Sequence, residues 1–137
     1  MDFILVTPDT LRAHWPVIRA SLHAVQAKAP EDWLPEDVYL AIKTSAVACH
    51  LLVKNGQYAG MFVIRTEQAE FSKAQSLHVW IAHNAGDEDV FEAGEGLIKQ
   101  TAQRMGVSTI TFGSPRPGWA KRYRLVSATY EIDQEIK

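Results

Sequence analysis

Two apolar runs, residues 46–53 (AVACHLLV) and 57–65 (QYAGMFVIR), are separated only by Lys54-Asn55-Gly56. Asn-Gly between such runs is the strongest short-range signal for a β-hairpin, because both residues tolerate the positive φ that a tight turn demands. The chain is therefore committed to an antiparallel hairpin near its middle. Residues 76–83 (SLHVWIAH) predict a further strand that extends the hairpin into a meander. An antiparallel sheet of this kind must bury at least one face, and the flanking sequence supplies helices to cover it.

Residues 2–6 (DFILV) read as a first strand. Thr7-Pro8-Asp9-Thr10 carries the signature of a helix start, with Thr7 as N-cap and Pro8 at the first helical position. Leu11, Trp15, Ile18, Leu22 and Val25 then recur at spacings of three and four, which marks one apolar helix face. Pro16 lies inside this pattern and predicts a kink or a split into two helices. Leu34-Pro35-Glu36-Asp37 opens a second helix that runs to about Lys43. After the meander, residues 87–105 predict a helix with Val90, Leu97, Ile98, Thr101 and Met105 on or near one face, stopped by Gly106. Residues 107–112 (VSTITF) predict a strand, 114–118 a loop, 118–124 a short helix and 127–132 a final strand. The order β-α-α-β-β-β-α-β-α-β implies an α+β (mixed α/β) fold. Its centre is a mixed, mostly antiparallel sheet of about six strands with helices on both faces, in one domain over residues 1–137.

A chain of 137 residues buries roughly two thirds of its unfolded surface and needs neither disulfide nor metal to fold. A hydrophobic share of 47% and a charged share of 22% exclude collagen, coiled coil and disorder. No window of eighteen consecutive apolar residues predicts a membrane span. Met1-Asp2-Phe3 lacks the basic start of a signal peptide, and the single Cys49 has no internal partner; both predict the cytoplasm. The net charge of −2 hides an uneven distribution. Residues 86–95 hold Asp87, Glu88, Asp89, Glu92 and Glu95 with no base, and residues 96–130 hold Lys99, Arg104, Arg116, Lys121, Arg122 and Arg124 with no acid. The segment with Arg116, Trp119, Lys121, Arg122 and Arg124 suits phosphate neutralisation. Such a surface also suits a nucleic-acid backbone, against which the isoelectric point near 6.2 argues.

Phe91-Glu92-Ala93-Gly94-Glu95-Gly96-Leu97 resembles the end of the acetyl-CoA signature, Q/R-x-x-G-x-G/A, of the GNAT family of N-acetyltransferases. Ala120-Lys121-Arg122-Tyr123 followed by Ser127-Ala128 resembles that family's A-x-x-x-Y…G-F segment, and the order of elements is also similar to the family's. Phe112-Gly113-Ser114-Pro115-Arg116-Pro117-Gly118-Trp119 resembles a segment of small phage- and prophage-encoded GNAT-like proteins. The resemblance implies acetyl-CoA as cofactor, with Gly94, Gly96, Arg116 and Lys121 at its phosphates, and a small-molecule or protein amine as acceptor. It implies Tyr123 as the general acid for the leaving thiolate.

The residues leave two questions open. Phe91 stands where the signature has Gln or Arg, and Asp87, Glu88 and Asp89 lie where the coenzyme's pyrophosphate is expected. At an effective dielectric of about 40, each carboxylate roughly 6 Å from a phosphate weakens binding about tenfold. Gly94 and Gly96 belong either to a phosphate-cradling loop or to a helix that packs closely on the sheet. The first arrangement implies an acyl-CoA-dependent N-acyltransferase; the second implies a GNAT-fold binding or assembly component that has lost the coenzyme. Residues 76–83 contain no glutamate to serve as base, so His78 and His83 are the candidates, and alternation puts His78 on one face with Trp80. Glu67 and Glu70 read as solvated loop residues. Cys49 and His50 are adjacent and face opposite ways, which precludes a nucleophile–base pair, and no metal-ligand spacing occurs. The final strand, or another exposed edge, offers a route to a homo-oligomer.

Overall fold

The structure is a computed structural model that describes residues 1–114, 119, 121–127 and 132. Its elements are β1 (Asp2–Val6), α1 (Leu11–Lys28), α2 (Pro35–Lys43), β2 (Ala48–Lys54), β3 (Gln57–Gln68), β4 (Gln75–Asn84), α3 (Glu88–Arg104) and β5 (Ile110–Phe112). The five strands form one sheet in the order β1-β2-β3-β4-β5. Every pairing is antiparallel except β4 with β5, which is parallel. The β2–β3 turn has positive φ at both Asn55 (54°) and Gly56 (77°), as the sequence demands. The sheet is mixed and mostly antiparallel, as expected. Residues 128–131 of the expected final strand lie outside the described residues.

Helices cover both faces because the strands alternate. Cys49 and Leu51 of β2, Met61 and Val63 of β3 and Ile81 of β4 point to one side. There they meet Leu11, Ile18 and Leu22 of α1 and Val38 and Ile42 of α2. Leu52, Phe62, Ile64 and Leu77 point to the other side and meet Val90 and Ala102 of α3. Complete burial of a Leu or Ile side chain stabilises by about 1.5–3 kcal/mol, so these faces, more than helix propensity, hold α1 and α3.

Two local expectations are corrected. α1 begins after Thr10, not Thr7. The Thr7 N–H donates to Thr10 Oγ1 (2.9 Å) and the Thr10 N–H to Thr7 Oγ1 (3.2 Å), closing a turn that delays the helix. Pro16 does not split the helix, which runs unbroken through Lys28. It sits early in α1, where the missing N–H removes one bond to the Arg12 carbonyl, and the buried face beyond it outweighs that loss.

Two bulges shape the sheet. Leu52 pairs with Gly60 and Val53 with Tyr58, so Ala59 is an extra residue in β3. Val63 pairs with Ile81 and Ile64 with Val79, so Trp80 is an extra residue in β4. The pairing of β4 with β5 covers only Leu77–Ile110, His78–Thr111 and Val79–Phe112. Beyond Val79, no strand among the described residues pairs with β4 on the side away from β3. Among the described residues the β4–β5 ladder therefore ends at the bulge, where the backbone is already bent from regular pleating.

Candidate functional site

The end of the β4–β5 ladder is flanked from both faces. Thr111 and Phe112 are successive residues of β5 and point to opposite sides. On the α1/α2 side, Thr111 Oγ1 lies 2.9 Å from His78 Nδ1. On the α3 side, Phe112 packs edge-on against Tyr123, with ring centroids 5.4 Å apart. The two expected catalytic residues thus lie on opposite faces of one short strand, next to the point where that ladder ends. Beyond the bulge, β4 presents Ala82, an exposed small residue paired with Phe62.

His78 is half-buried, and burial pushes its imidazole below the usual histidine range, with Glu67 acting in the opposite sense. Burial thus favours the neutral form of its imidazole. Its cross-strand partner is Arg65, whose guanidinium lies over the Trp80 ring at 5.4 Å and donates to Glu67 Oε1 at 3.0–3.1 Å. Trp80 in turn meets Trp33, which precedes α2, edge-on at 6.4 Å, and the Trp33 indole donates to Glu31 (2.8 Å). Glu67 is therefore not a solvated loop residue, which corrects the sequence expectation. It lies in β3, opposite Ser76. The signal was the i, i+2 pair Arg65 and Glu67, which continues the strand alternation past the apolar run. His83, also half-buried, is pushed below the usual range by burial and by Lys28.

On the α3 side the Tyr123 hydroxyl donates to the Glu95 carboxylate. Burial, then Glu95, pushes the phenol above its ordinary range, so Tyr123 keeps its proton near neutral pH. Trp119 stacks on Phe91 (5.9 Å, 18° between planes) and donates to Ser114 Oγ (3.1 Å). Arg122 lies over the Phe91 ring at 4.6 Å, with Glu88 at 3.5 Å and Glu95 at 3.8 Å. The Arg122 and Tyr123 N–H groups donate to the Trp119 carbonyl, which gives the expected short helix one observed turn. Phe91 thus anchors this segment to α3, and sequence alone gave no sign of the stack. Lys121 is exposed on the same turn; Arg116 lies outside the described residues.

Gly94 and Gly96 lie within α3. Gly94 is a packing glycine: a Cβ there would stand 3.4 Å from Leu52 Cδ2, whereas one on Gly96 would meet nothing within 4 Å. Their N–H groups belong to the helix interior, so neither forms a phosphate-cradling loop. The helix start is taken by the chain's own acids. Asp87 is the N-cap and accepts from the Asp89 N–H (3.2 Å). Lys54 bridges Asp87 at 3.2 Å and Asp89 at 3.5 Å, and its hydrogen bond to Asp87 lowers that carboxyl's pKa. Among the described residues, the cations paired with this turn, Lys54 and Arg122, are already held by carboxylates. Tested against acetyl-CoA, the end of the β4–β5 ladder suits a narrow thioester arm. The first turn of α3 does not fit a pyrophosphate.

No family model matches the chain, and no curated protein matches it. Solved structures do match over nearly its whole length. One described as "a probable acetyltransferase" is 11% identical, covers 100% of this chain and 99% of its own, and superposes with a TM-score of 0.73. An aminoglycoside acetyltransferase from an uncultured soil metagenomic sample is 8% identical, with 99% and 96% covered and a TM-score of 0.69. A "predicted acetyltransferase with acetyl-CoA" from Clostridium acetobutylicum is 8% identical, with 96% and 95% covered and a TM-score of 0.67. At such identities the likeness is one of fold. Element order and the mixed sheet agree with it: the chain has the fold of the GNAT N-acetyltransferases.

Proposed function

We propose that the protein transfers an acyl group from a thioester, of the acetyl-CoA type, to an amine. What supports this reading is the end of the β4–β5 ladder at the Trp80 bulge, with His78 and Tyr123 flanking β5 from opposite faces. An acyl thioester laid along the free edge of β4 meets His78 from one face and Tyr123 from the other. The amine loses its proton to His78 as the N–C bond forms. The C–S bond breaks, and Tyr123 protonates the departing sulfur. Glu95 holds the Tyr123 hydroxyl until the C–S bond breaks, when its single O–H turns from Glu95 to the sulfur, and Thr111 orients the His78 ring. The acceptor approaches from the α1/α2 face, where Glu31 and Glu67 are carboxylates suited to an ammonium group. The acetyltransferases of the same fold, one of them acting on aminoglycosides, support the reaction class.

A second reading has its own observations. Asp87 caps α3, and the Phe91–Trp119 stack ties the C-terminal segment to that helix. A binding or assembly component that retains the fold without a coenzyme accounts for both. Calorimetric titration at low salt with acetyl-CoA and with S-acetyl-pantetheine separates the two readings. Saturable binding, followed by thiol release in the presence of an amine, supports acyl transfer. Failure of both thioesters to bind at about 1 mM, equivalent to a binding free energy weaker than about −4 kcal/mol, leaves the component reading.

A further inference from the structure

We infer that the first turn of α3 is closed to nucleotide phosphates, so that any acyl donor is read through its thioester arm and not through a nucleotide diphosphate. The donor class is then an acyl-pantetheine-type thioester. This rests on the acyl-transfer reading for the donor, but the closure of the helix end stands independently of it.

Three observations combine. Asp87 already occupies the N-cap position, and its carboxylate takes the Asp89 N–H. The charge there is unfavourable: among the described residues, Asp87, Glu88 and Asp89 pair with Lys54 and Arg122 alone. The balance is three acids against two bases, and Arg122 is shared with Glu95. The two glycines that would free backbone donors for phosphate lie about two turns inside the helix, and Gly94 is packed on Leu52. A diphosphate near this end displaces Lys54 or Arg122 from its carboxylate, or else meets uncompensated negative charge. Each uncompensated carboxylate at roughly 6 Å weakens binding about tenfold. Lys121 is exposed, so salt screens its attraction at physiological ionic strength.

The test has two arms. In the first, inorganic pyrophosphate is titrated into ¹⁵N-labelled protein at low salt while the amides of Glu88, Asp89 and Val90 are followed. They do not shift up to about 10 mM ligand, a concentration that detects even very weak sites. In the variant Asp87→Asn/Glu88→Gln/Asp89→Asn they do shift. Asn is as good an N-cap as Asp, so the variant keeps the helix, and a thermal melt confirms this. Saturable shifts at these amides in the unaltered protein overturn the inference. In the second arm, acetyl-CoA and S-acetyl-pantetheine bind within about threefold of each other, whereas acetyl-CoA binding more than about thirtyfold tighter refutes the donor class. If neither thioester binds while pyrophosphate leaves the amides unmoved, the acyl-transfer reading and its donor class fall and the closed helix end stands.

Discussion

Substituting Gly96 by alanine separates the two roles that the sequence allows for this glycine. In the structure Gly96 lies at the middle of α3, exposed, with open space where a Cβ would stand. Alanine is favoured over glycine in a helix interior by about 1 kcal/mol, because glycine loses more backbone entropy on folding. Nothing in the surroundings opposes that gain. With an unfolding entropy of about 2.1 cal/mol/K per residue, 1 kcal/mol in a chain this size corresponds to about 3 °C in Tm. Gly96→Ala should therefore raise the urea midpoint at an unchanged denaturant slope, and raise Tm by about 3 °C. Gly94→Ala provides the internal comparison. Its Cβ meets the flexible end of Leu52 at 3.4 Å, so the same helix gain is partly offset and the net change falls between zero and about 1 kcal/mol. A Gly96→Ala protein less stable than the parent would refute the helical placement of this residue, and with it the argument that its N–H is unavailable to a phosphate.

Three further outcomes follow from the packing and the titrating groups. At Gly60 a Cβ would stand 2.6 Å from the His83 carbonyl oxygen, so Gly60→Ala must push backbone apart and lower stability by about 1–3 kcal/mol in urea denaturation. His50, His78 and His83 all have folded pKa values lowered by burial. The unfolded chain then binds more protons below the unfolded histidine pKa of 6.5. Their stabilising contribution is complete above pH 6.5 and is lost as the pH falls through the lower folded values. His50 Nδ1 is buried without a hydrogen-bond partner and the ring stacks on Phe62, so His50→Phe should flatten the pH dependence measured between pH 7.5 and 5. Cys49 is fully buried and its thiol is pushed up to about 12. It should resist alkylation in native buffer and react only at the rate of unfolding, as mass spectrometry would show.

The meander and the helices were legible because their signals are local. Asn55-Gly56 fixes a turn by its own backbone preferences, and the three-to-four spacing of Leu11, Ile18 and Leu22 appears in any window that contains them. Of the kink and the split that Pro16 allowed, the split does not occur, because the proline's cost is local whereas the compensation, a buried helix face, is not. The bulge at Trp80 left no mark in SLHVWIAH. An apolar run shows no break when one residue is extra, and the choice of residue is made by the pairing of Val63 and Ile64 on β3. The functional neighbourhood was legible in part. His78 and Trp80 were placed on one face by alternation, but Arg65 and Glu67 join them only through cross-strand pairing and a stack. Tyr123 was found through its resemblance to a motif. Its partner Glu95 and the Phe91–Trp119 contact span some thirty residues and follow from the docking of one segment on α3. The acidic run, by contrast, announced the helix start correctly, because an N-cap is decided by the residues that form it.

The most direct test of a thioester slot between β4 and β5 is amide chemical-shift mapping with S-acetyl-pantetheine, a ligand that carries the arm without the nucleotide. Saturable shifts are expected at Trp80–Asn84 and at Phe112, with Glu88–Val90 unmoved. Shifts confined to other strands, or none at millimolar ligand, would contradict the slot.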